Sequence, residues 1–378
     1  MAQSPEQRIL AGLSMPDPHP SMIKGLHTFT SSNLDLDGLI ETSIKEGLAC
    51  ILYRNLERSG ALGYLNPGQC EKLRSMYYQA LTFNITLLHD LIEVLDGLNK
   101  RNTPVVLLQG MGLIRDVYVD IGLRPMTDID LWVLPSGYPS LKDILSCRGY
   151  QTDPLYPHTF RRGMTTLDIH THVLWADRIR SRRLLLDLDE AEIYRRAIPI
   201  KVDGRDALRL SPPDEVIYLG LHAIKHNMSR LIWLADIRNI VEGWDKSAWS
   251  ELLVRARQLG QTRTLRYLIF LLGDIFGLVP PGGIARNLGK GRLTTLEKGL
   301  LKKRIRGHPL PRWSPLFLFS AGKGLRKSVP FLAETLFPRP DVLRQVFPSK
   351  EDRSALHLYR KRALQIARWC RNALLEMF

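Results

Sequence analysis

The chain has 378 residues, of which 44% are hydrophobic and 24% charged, and its formal net charge is +15. This composition is that of an ordinary globular protein, long enough for two or three subdomains. The four cysteines are scattered, which argues against a disulfide framework. No run approaches the roughly 18 apolar residues that cross a bilayer, and the start, MAQSPEQRIL, does not resemble a signal peptide. We therefore expect a cytoplasmic protein without a transmembrane segment.

The positive charge is concentrated at the C-terminal end. Residues 281–378 contain 21 Lys or Arg against 6 Asp or Glu, so this quarter carries the whole excess of +15. A one-sided basic segment favours a polyanionic partner such as RNA or an anionic membrane face. Solvated faces of a helical region explain the pattern equally well.

The first hundred residues are expected to form a lead-in followed by helices. Residues 1–28 are polar and interrupted by prolines, which predicts a loosely ordered segment. Apolar residues then recur at helical spacing over Leu34–Leu56, Pro67–Tyr78 and Ala80–Asn99. We expect these helices to form an N-terminal cap over residues 29–102.

A strand, a turn, a short helix and a second strand are predicted between residues 105 and 133. The apolar run that begins at Val105 meets Gly110, and an amphipathic segment leads to a stretch with Asp128 and Asp130. Alternate side chains of a strand share a face, so the two carboxylates are expected to project together. Because adjacent carboxylates repel each other unless a cation lies between them, this spacing is typical of a Mg²⁺ site.

An Asp-x-Asp pair alone is weak support, since Asp35 and Asp37 form another one. That earlier pair is better explained as a solvated helix start capped by Asn33 or Asp35. The later pair differs because a glycine turn precedes it and a third carboxylate, Asp168, follows in another alternating stretch. A glycine turn, a carboxylate pair and a third carboxylate on a neighbouring strand form the arrangement used for two-metal phosphoryl or nucleotidyl transfer.

Several residues around these carboxylates are candidates for binding phosphate. Gly110 lacks a Cβ, which would allow the backbone to approach phosphate oxygens. Arg124 could bind a phosphate or pair with an acidic neighbour, and Thr127 could orient a carboxylate. Lys225 and His226, on a downstream helix, are candidates for a triphosphate or base pocket, although a histidine on an amphipathic helix is more often simply packed.

Residues 187–280 are expected to connect the sheet to a helical bundle. Short β-like pieces occur at Ala197–Val202, and Ser211 followed by two prolines and two acidic residues predicts a helix start. Helices are predicted over Val216–Asn227 and Leu231–Trp244, with apolar faces that would pack against the sheet.

The histidines allow a rival interpretation as a zinc hydrolase. His170 and His172 alternate on a predicted strand, and His222 and His226 lie one helical turn apart. Ala223 occupies the place of the glutamate in a metalloprotease motif, and zinc would leave the Asp pair without a role. His170 shares a predicted face with Asp168 and could instead support a ligand or bind the acceptor.

The chain resembles the DNA polymerase β-type nucleotidyltransferase superfamily, and within it the NTP_transf_5 group of uncharacterised bacterial nucleotidyltransferases. Two departures accompany the resemblance: the Gly-Ser turn of the superfamily is Gly110-Met111 here, and Gln109 replaces the lysine common in this group. The matching segments are Leu-Leu-Gln-Gly-Met-Gly-Leu, Leu-Arg-Pro-Met-Thr-Asp-Ile-Asp-Leu-Trp-Val, Arg148-Gly-Tyr, Leu-Asp-Ile-His, Leu221-His-Ala-Ile-Lys-His, Leu231-Ile-Trp-Leu-Ala-Asp-Ile and Leu336-Phe-Pro-Arg-Pro.

The resemblance implies transfer of a nucleoside monophosphate from an NTP to an acceptor, with release of pyrophosphate. Asp128 and Asp130 would bind two Mg²⁺ or Mn²⁺ ions, and Asp168 would hold the metal nearest the acceptor and help remove the proton from its hydroxyl. The expected enzyme is an ATP-binding or other NTP-binding transferase of EC class 2.7.7. The nucleotide-binding candidates are Gln109, Gly110, Met111, Arg124, Thr127, Lys225 and His226.

The expected fold is α+β, with a small mixed β-sheet core between N-terminal helices and a larger C-terminal helical region. The predicted divisions are a lead-in at 1–28, a helical cap at 29–102, the nucleotidyltransferase core at 103–186, a connecting segment and bundle at 187–280, and a basic helical region at 281–378.

The acceptor is left open by the sequence. RNA is favoured by the basic residues 281–378, whereas a peptide natural product or a sugar is suggested by other members of the group. A non-catalytic binding or toxin–antitoxin-type protein on the same fold is the alternative, because Gln109 and Gly110-Met111 depart from the triphosphate-binding pattern.

Overall fold

The computed structural model describes residues 5–16, 35–114, 116–284, 288, 292–349 and 354–375. It has the predicted α+β fold, in which a seven-stranded mixed sheet lies between N-terminal and C-terminal helices. The strands, β1 to β7, are Val106–Leu108, Ile129–Trp132, Gln151–Thr152, Thr159–Arg162, Thr165–His170, Ile198–Val202 and Arg205–Arg209. The α-helices of the described residues, α1 to α16, are Pro5–Gly12, Leu36–Glu46, Ala49–Arg58, Pro67–Lys100, Gln109–Leu113, Tyr138–Cys147, Glu190–Arg195, Pro212–Lys225, Ile232–Val241, Lys246–Gln258, Thr262–Phe276, Thr295–Ile305, Ser314–Ser320, Leu325–Leu336, Pro340–Val346 and Ala355–Leu375.

The strands follow the order β3-β4-β5-β2-β1-β7-β6 across the sheet. The pairs β2–β5 and β1–β7 are parallel, and the other neighbours are antiparallel. β6 matches the β-like piece predicted at Ala197–Val202. β7 was not predicted, because its charged sequence Arg-Asp-Ala-Leu-Arg lacks apolar alternation. Since β7 pairs with β1, the sheet extends beyond residue 186.

The two faces of the sheet pack against different helices. Ile129 and Leu131 of β2 belong to a core cluster with apolar residues of α4 and α6. Trp132 belongs to the larger cluster, which includes the apolar sides of α8 and α9. Because successive side chains alternate, Asp130 shares the face of Trp132. The strand carboxylates are therefore on the face that carries the C-terminal helices.

The described part of the N-terminal lead-in is more ordered than the sequence analysis expected. Helix α1 buries Ile9, Leu10 and Leu13, which are at most 4% exposed. The Asn55 side chain of α3 donates hydrogen bonds to the carbonyls of Leu13 and Met15, both at 2.9 Å. The prolines that discourage a long helix follow this segment, so a short helix forms before them. Residues 1–4 and 17–28 of the predicted lead-in lie outside the described residues.

The N-terminal helices also divide at other places than expected. The segment Leu34–Leu56 is broken at Gly47, whose φ of 79° ends α2 in a left-handed conformation. The two helices predicted between Pro67 and Asn99 are one 34-residue helix, α4. It begins with a capping box between Asn66 and Gln69, and no helix-breaking residue interrupts it.

The C-terminal quarter folds as helices α12 to α16. Arg304 of α12 forms an ion pair with Glu46 of α2 at 2.6 Å, with both side chains buried. Phe331 of α14 is 1% exposed and belongs to the larger core cluster. This quarter is thus packed onto the rest of the molecule. In the described ranges, none of the helices combines the length and the apolar character needed to span a membrane.

Candidate active site

The sheet brings the three selected carboxylates together. Asp130 of β2 lies directly opposite Asp168 of β5, because these parallel strands pair with the two residues in register. Asp128 precedes β2, which begins at Ile129. On the other side of Asp130, Leu108 of β1 is its antiparallel partner. Strand pairing thus places a carboxylate that is distant along the chain beside the Asp-x-Asp pair.

A cavity of about 200 Å³ covers this part of the sheet. Its lining includes every predicted site residue except Met111. It is formed by the end of β1, the loop before β2, β5, the last turn of α8 and the start of α9. The lining residues are Gln109, Gly110, Arg124, Pro125, Met126, Thr127, Asp128, Asp130, Asp168, His170, His222, Lys225, His226, Arg230 and Trp233.

The surroundings of Asp128 perturb its ionisation. Burial and the negative charges of Asp130 and Asp168 raise the pKa of Asp128 to about 6. The Thr127 hydroxyl donates a hydrogen bond to the Asp128 carboxylate at 3.0 Å and favours the charged form. This contact agrees with the predicted role of Thr127 in orienting a carboxylate. A buried group of like charges is stabilised by a bound cation.

The other two carboxylates are held by neighbouring side chains on the sheet. The His170 Nε2 lies 2.8 Å from Asp130 Oδ1, so His170 supports that carboxylate as one interpretation of the sequence proposed. The Thr159 hydroxyl of β4 donates to Asp168 Oδ1 at 2.6 Å. Each carboxylate therefore keeps a defined orientation, since one of its oxygens is engaged by a hydrogen bond.

The wall opposite the carboxylates is cationic and aromatic. Lys225 Nζ lies 4.0 Å from the centroid of the Trp175 ring, a cation–π contact. Burial and the positive charge of Arg182 lower the pKa of Lys225 to about 7, while Asp130 and Asp168 act in the opposite direction. The Lys225 ammonium group thus interacts electrostatically with these two carboxylates, although its burial leaves it poorly solvated.

Three aromatic rings of the wall pack against one another. The His222 and His226 ring centroids are 4.5 Å apart, and the Trp233 ring lies 5.4 Å from His222 and 5.2 Å from His226. Burial lowers the pKa of His222 well below its usual value, so this imidazole is neutral at pH 7. The packed rings, which are tilted or edge-on to one another, form an uncharged aromatic cluster beside Lys225.

Arg124 lines the cavity, but its guanidinium is engaged by a carboxylate. Arg124 Nη2 donates to Asp236 Oδ2 at 2.8 Å, and the Tyr118 hydroxyl donates to Asp236 Oδ1 at 2.6 Å. Asp236 is fully buried. Of the two roles considered for Arg124, the structure favours pairing with an acidic neighbour.

The turn after β1 is shaped by close packing. Gln109 has a φ of 53°, an unfavourable conformation for a residue with a side chain, and its amide donates to the Tyr218 hydroxyl at 3.3 Å. A Cβ on Gly110 would approach Met126 Sδ to 2.8 Å, so any other residue here would displace the Met126 side chain. Met111 is 6% exposed and belongs to the core below the sheet. The structure therefore places the Met111 side chain away from the cavity, because the helix turns it towards α4.

The four histidines considered for zinc are not assembled into one site. His172 is absent from the cavity lining; its Nδ1 lies 3.1 Å from Glu190 and its Nε2 contacts Arg183. His170 is bound to Asp130, as described above. Throughout the described ranges, no group of three or more His, Cys, Asp or Glu side chains is arranged to hold a metal ion. The zinc hydrolase interpretation loses its structural basis.

A divalent cation such as Mg²⁺ needs fewer ligands from the protein than a zinc site does. Mg²⁺ is commonly held by one or two carboxylates and takes its remaining ligands from substrate phosphates and water. Asp128 and Asp130 supply such a pair, with only oxygen donors and mutual repulsion that a cation relieves. The donor chemistry fits Mg²⁺ or Mn²⁺ bound together with a phosphorylated substrate.

Several residues of the site were not among the site residues predicted from the sequence. Thr159, Trp175 and Tyr218 each contact a predicted site residue, and Arg230 and Trp233 line the cavity. They come from four separate segments without a shared motif. The pairing of β4 with β5 brings Thr159 to Asp168, and the packing of α8 and α9 against the sheet brings the other four to the site.

Comparison with known proteins gives one match. The model of a protein family described as "Uncharacterised nucleotidyltransferase" matches residues 32–277, which include every residue that lines the cavity. No curated protein and no solved structure matches the chain.

Proposed function

The chain belongs to this nucleotidyltransferase family, and from that premise we propose that it transfers a nucleoside monophosphate from an NTP to a hydroxyl or phosphate of an acceptor, releasing pyrophosphate. The reaction would take place in the cavity over β2 and β5. The proposal also includes dependence on Mg²⁺ or Mn²⁺.

One arrangement carries the proposal. Asp130 and Asp168 lie opposite each other on parallel strands, Asp128 is close enough for their charges to raise its pKa, and Lys225 lies on the facing wall. Transfer of a nucleotidyl group needs positive charge near the α-phosphate and a base near the acceptor oxygen. A carboxylate floor and a cationic wall in one cavity provide both.

The residues would divide the work as follows. Asp128 and Asp130 would hold Mg²⁺ or Mn²⁺, which supplies positive charge to the α-phosphate and to the leaving pyrophosphate. Asp168, fixed through Oδ1 by Thr159, would accept the proton of the acceptor hydroxyl at Oδ2. The acceptor oxygen forms the new bond to the α-phosphorus as the bond between the α-phosphorus and the bridging oxygen breaks, and pyrophosphate leaves.

The facing wall would bind the rest of the nucleotide. Lys225 in its protonated form would contact the phosphates, and the aromatic rings of His226 and Trp233 would pack against the base. Gln109 would contribute a neutral amide at the position where lysine is common in this group. Arg124 would act indirectly, because its ion pair with Asp236 holds the loop that leads to Asp128.

The direct test supplies each NTP, labelled on the α-phosphate, together with Mg²⁺ or Mn²⁺ and a cell lysate separated into RNA, protein and small-molecule fractions. Label is expected in one fraction with the wild type, and it is expected to be absent with Asp128→Asn. Asp37→Asn is the matched control, since it removes an exposed carboxylate from an Asp-x-Asp pair outside the cavity. Equal labelling by Asp128→Asn would refute the mechanism.

Absence of label with every nucleotide and either metal would favour the alternative, a non-catalytic binding protein on this fold. The engaged Arg124 and the neutral Gln109 are the observations consistent with that alternative. Calorimetry with NTP and Mg²⁺ then separates a protein that binds the nucleotide from one that has lost both binding and transfer.

A further inference from the structure

We infer that the acceptor is a polypeptide segment that binds in a largely apolar groove along α4, next to the catalytic cavity. This inference rests on the proposed nucleotidyl transfer and names the class of its second substrate. The groove is here called the α4 groove. Its lining residues are Glu71, Arg74, Ser75, Met76, Tyr78, Gln79, Ala80, Thr82, Phe83, Pro125, Met126 and Met164.

The α4 groove and the catalytic cavity share two lining residues. Pro125 and Met126 line both, and they immediately precede Thr127 and Asp128 in the chain. The loop that carries a catalytic carboxylate therefore also forms the end of the groove. A chain lying in the groove would present a side chain over this loop, beside the position proposed for the α-phosphate.

The size of the α4 groove fits an extended chain better than a small metabolite. Its volume is about 870 Å³, and a second cavity of about 390 Å³ adjoins it through Glu71, Arg74 and Tyr78. From Glu71 to Phe83 the helix rises by about 18 Å at 1.5 Å per residue. An extended peptide covers that length with about five or six residues.

The lining argues against a nucleic acid in this position. Glu71 and Arg74 are the charged residues of the groove lining, and their side chains lie 3.8 Å apart, so the described lining carries no excess of positive charge. A phosphate backbone requires several unpaired cations along its path. Tyr78 and Met164 instead expose apolar surface, 48% and 66% of each residue. Methionine and tyrosine surfaces adapt to varied apolar side chains, which favours a peptide.

Part of the basic C-terminal quarter has a structural use, which weakens its claim as an RNA-binding surface. Arg304 pairs with the buried Glu46, and Lys327 pairs with Asp187. Arg339 donates to the carbonyl of Asp177 at 2.9 Å, and Arg362 donates to backbone carbonyls at 2.8 and 2.9 Å. Arg304, Lys327 and Arg339 fasten the C-terminal quarter to the rest of the molecule, and Arg362 fastens α16 to the end of α14.

The test compares two acceptors and two groove variants. The wild type is incubated with labelled NTP, Mg²⁺ and either bulk tRNA or a library of twelve-residue peptides that carry one central Ser, Thr or Tyr among apolar residues. We expect label in the peptides and about a tenfold loss with Tyr78→Glu or Met164→Glu, since a charge in the groove opposes apolar burial. The control is Leu325→Glu, which adds the same charge at a residue that is 79% exposed on α14. It should label peptides as the wild type does.

Label in tRNA or in the small-molecule fraction, or unchanged peptide labelling by both groove variants, would overturn the inference and leave nucleotidyl transfer standing. If no acceptor is labelled, transfer itself fails, and the groove is judged by binding alone. Fluorescence anisotropy of the fluorescein-labelled peptide library then decides: about tenfold weaker binding by both groove variants than by Leu325→Glu supports a peptide groove. Equal binding by all three refutes it.

Discussion

Two of the three Asp-x-Asp pairs in the molecule have opposite outcomes. Asp35 and Asp37 are exposed at the start of α2, where Asp35 accepts a hydrogen bond from the Gly38 amide at 2.9 Å and Asp37 accepts one from Gln69 at 2.8 Å. Asp128 and Asp130 lie at the edge of a buried strand, in a cavity with a third carboxylate. The first pair caps a helix, and the second concentrates negative charge.

The comparison shows that spacing alone does not define a site. In the first pair each carboxylate accepts a hydrogen bond from its own donor and is exposed to water. In the second pair burial and like charges make ionisation of Asp128 costly, and Lys225 on the opposite wall has its own pKa lowered towards 7. Shifted pKa values of this kind are typical of sites where a bound substrate or cation balances the charge.

Activity should separate the two pairs most strongly. We expect Asp130→Asn to lower the rate of nucleotidyl transfer on the order of a thousandfold, because it removes a charge that acts on the reacting centre. Asp37→Asn should change the rate by no more than about twofold, as for an ordinary surface substitution. Initial rates of pyrophosphate release measure both. Similar losses in the two variants would break the comparison.

Removing the charge of a buried carboxylate should change the free energy of unfolding differently when the carboxylate has an ionic partner and when it has none. Asp236 is fully buried against Arg124 and Tyr118. We expect Asp236→Asn to lower the free energy of unfolding by about 3 kcal/mol, because it leaves a buried guanidinium without its counter-charge. Urea denaturation monitored by circular dichroism measures the change. A loss below about 1 kcal/mol, the median for a surface pair, would show that this pair is unimportant.

Asp128→Asn should act on stability in the opposite direction. The folded-state pKa of Asp128 is raised to about 6 from 3.8, so the folded protein loses stability as pH rises from about 4 to about 6 and remains less stable above that range. Removing the charge should raise the free energy of unfolding at pH 7 by about 1 kcal/mol in metal-free buffer, a value discounted for partial solvation. Asp35→Ala should lower it by about 1 kcal/mol through loss of the helix cap.

Thermal unfolding with EDTA at pH 7 and at pH 3.5 measures these two changes. The stabilisation by Asp128→Asn should fall close to zero at the lower pH, where the wild-type carboxyl is mostly protonated in both states. A stabilisation that persists at pH 3.5 would point to packing as its cause.

The smallest expected effect is on the pH dependence of nucleotide binding. The pKa of Lys225 is about 7, so its positive charge is present below that pH and is lost above it. Nucleotide affinity should therefore fall several-fold between pH 6 and pH 8. The fall should stay below about tenfold, which corresponds to about 1.4 kcal/mol of binding free energy. Lys225→Arg should flatten the profile, since arginine stays charged over this range. Parallel profiles for the two proteins would assign the pH dependence to another group.

The alternation of residues 128–133 was sufficient to predict that Asp128 and Asp130 share a face opposite Ile129 and Leu131. The predicted α+β class was correct for the same reason, since apolar periodicity is a local property of each segment. The division of α4 and the missed strand β7 show the limit of that information. Two adjoining helices and one continuous helix show the same apolar spacing, and a charged strand shows no apolar alternation.

The sequence by itself thus determined most of the elements, the shared face of Asp128 and Asp130, and a set of residues capable of phosphoryl chemistry. Only the tertiary structure decided which of them meet: Asp168 opposite Asp130, Lys225 on the facing wall, Arg124 paired with Asp236, and Met111 in the core. The physical reason is that strand register and helix packing depend on the whole set of long-range contacts. A pKa, an ion pair or a groove is a property of those contacts and has no counterpart in local sequence.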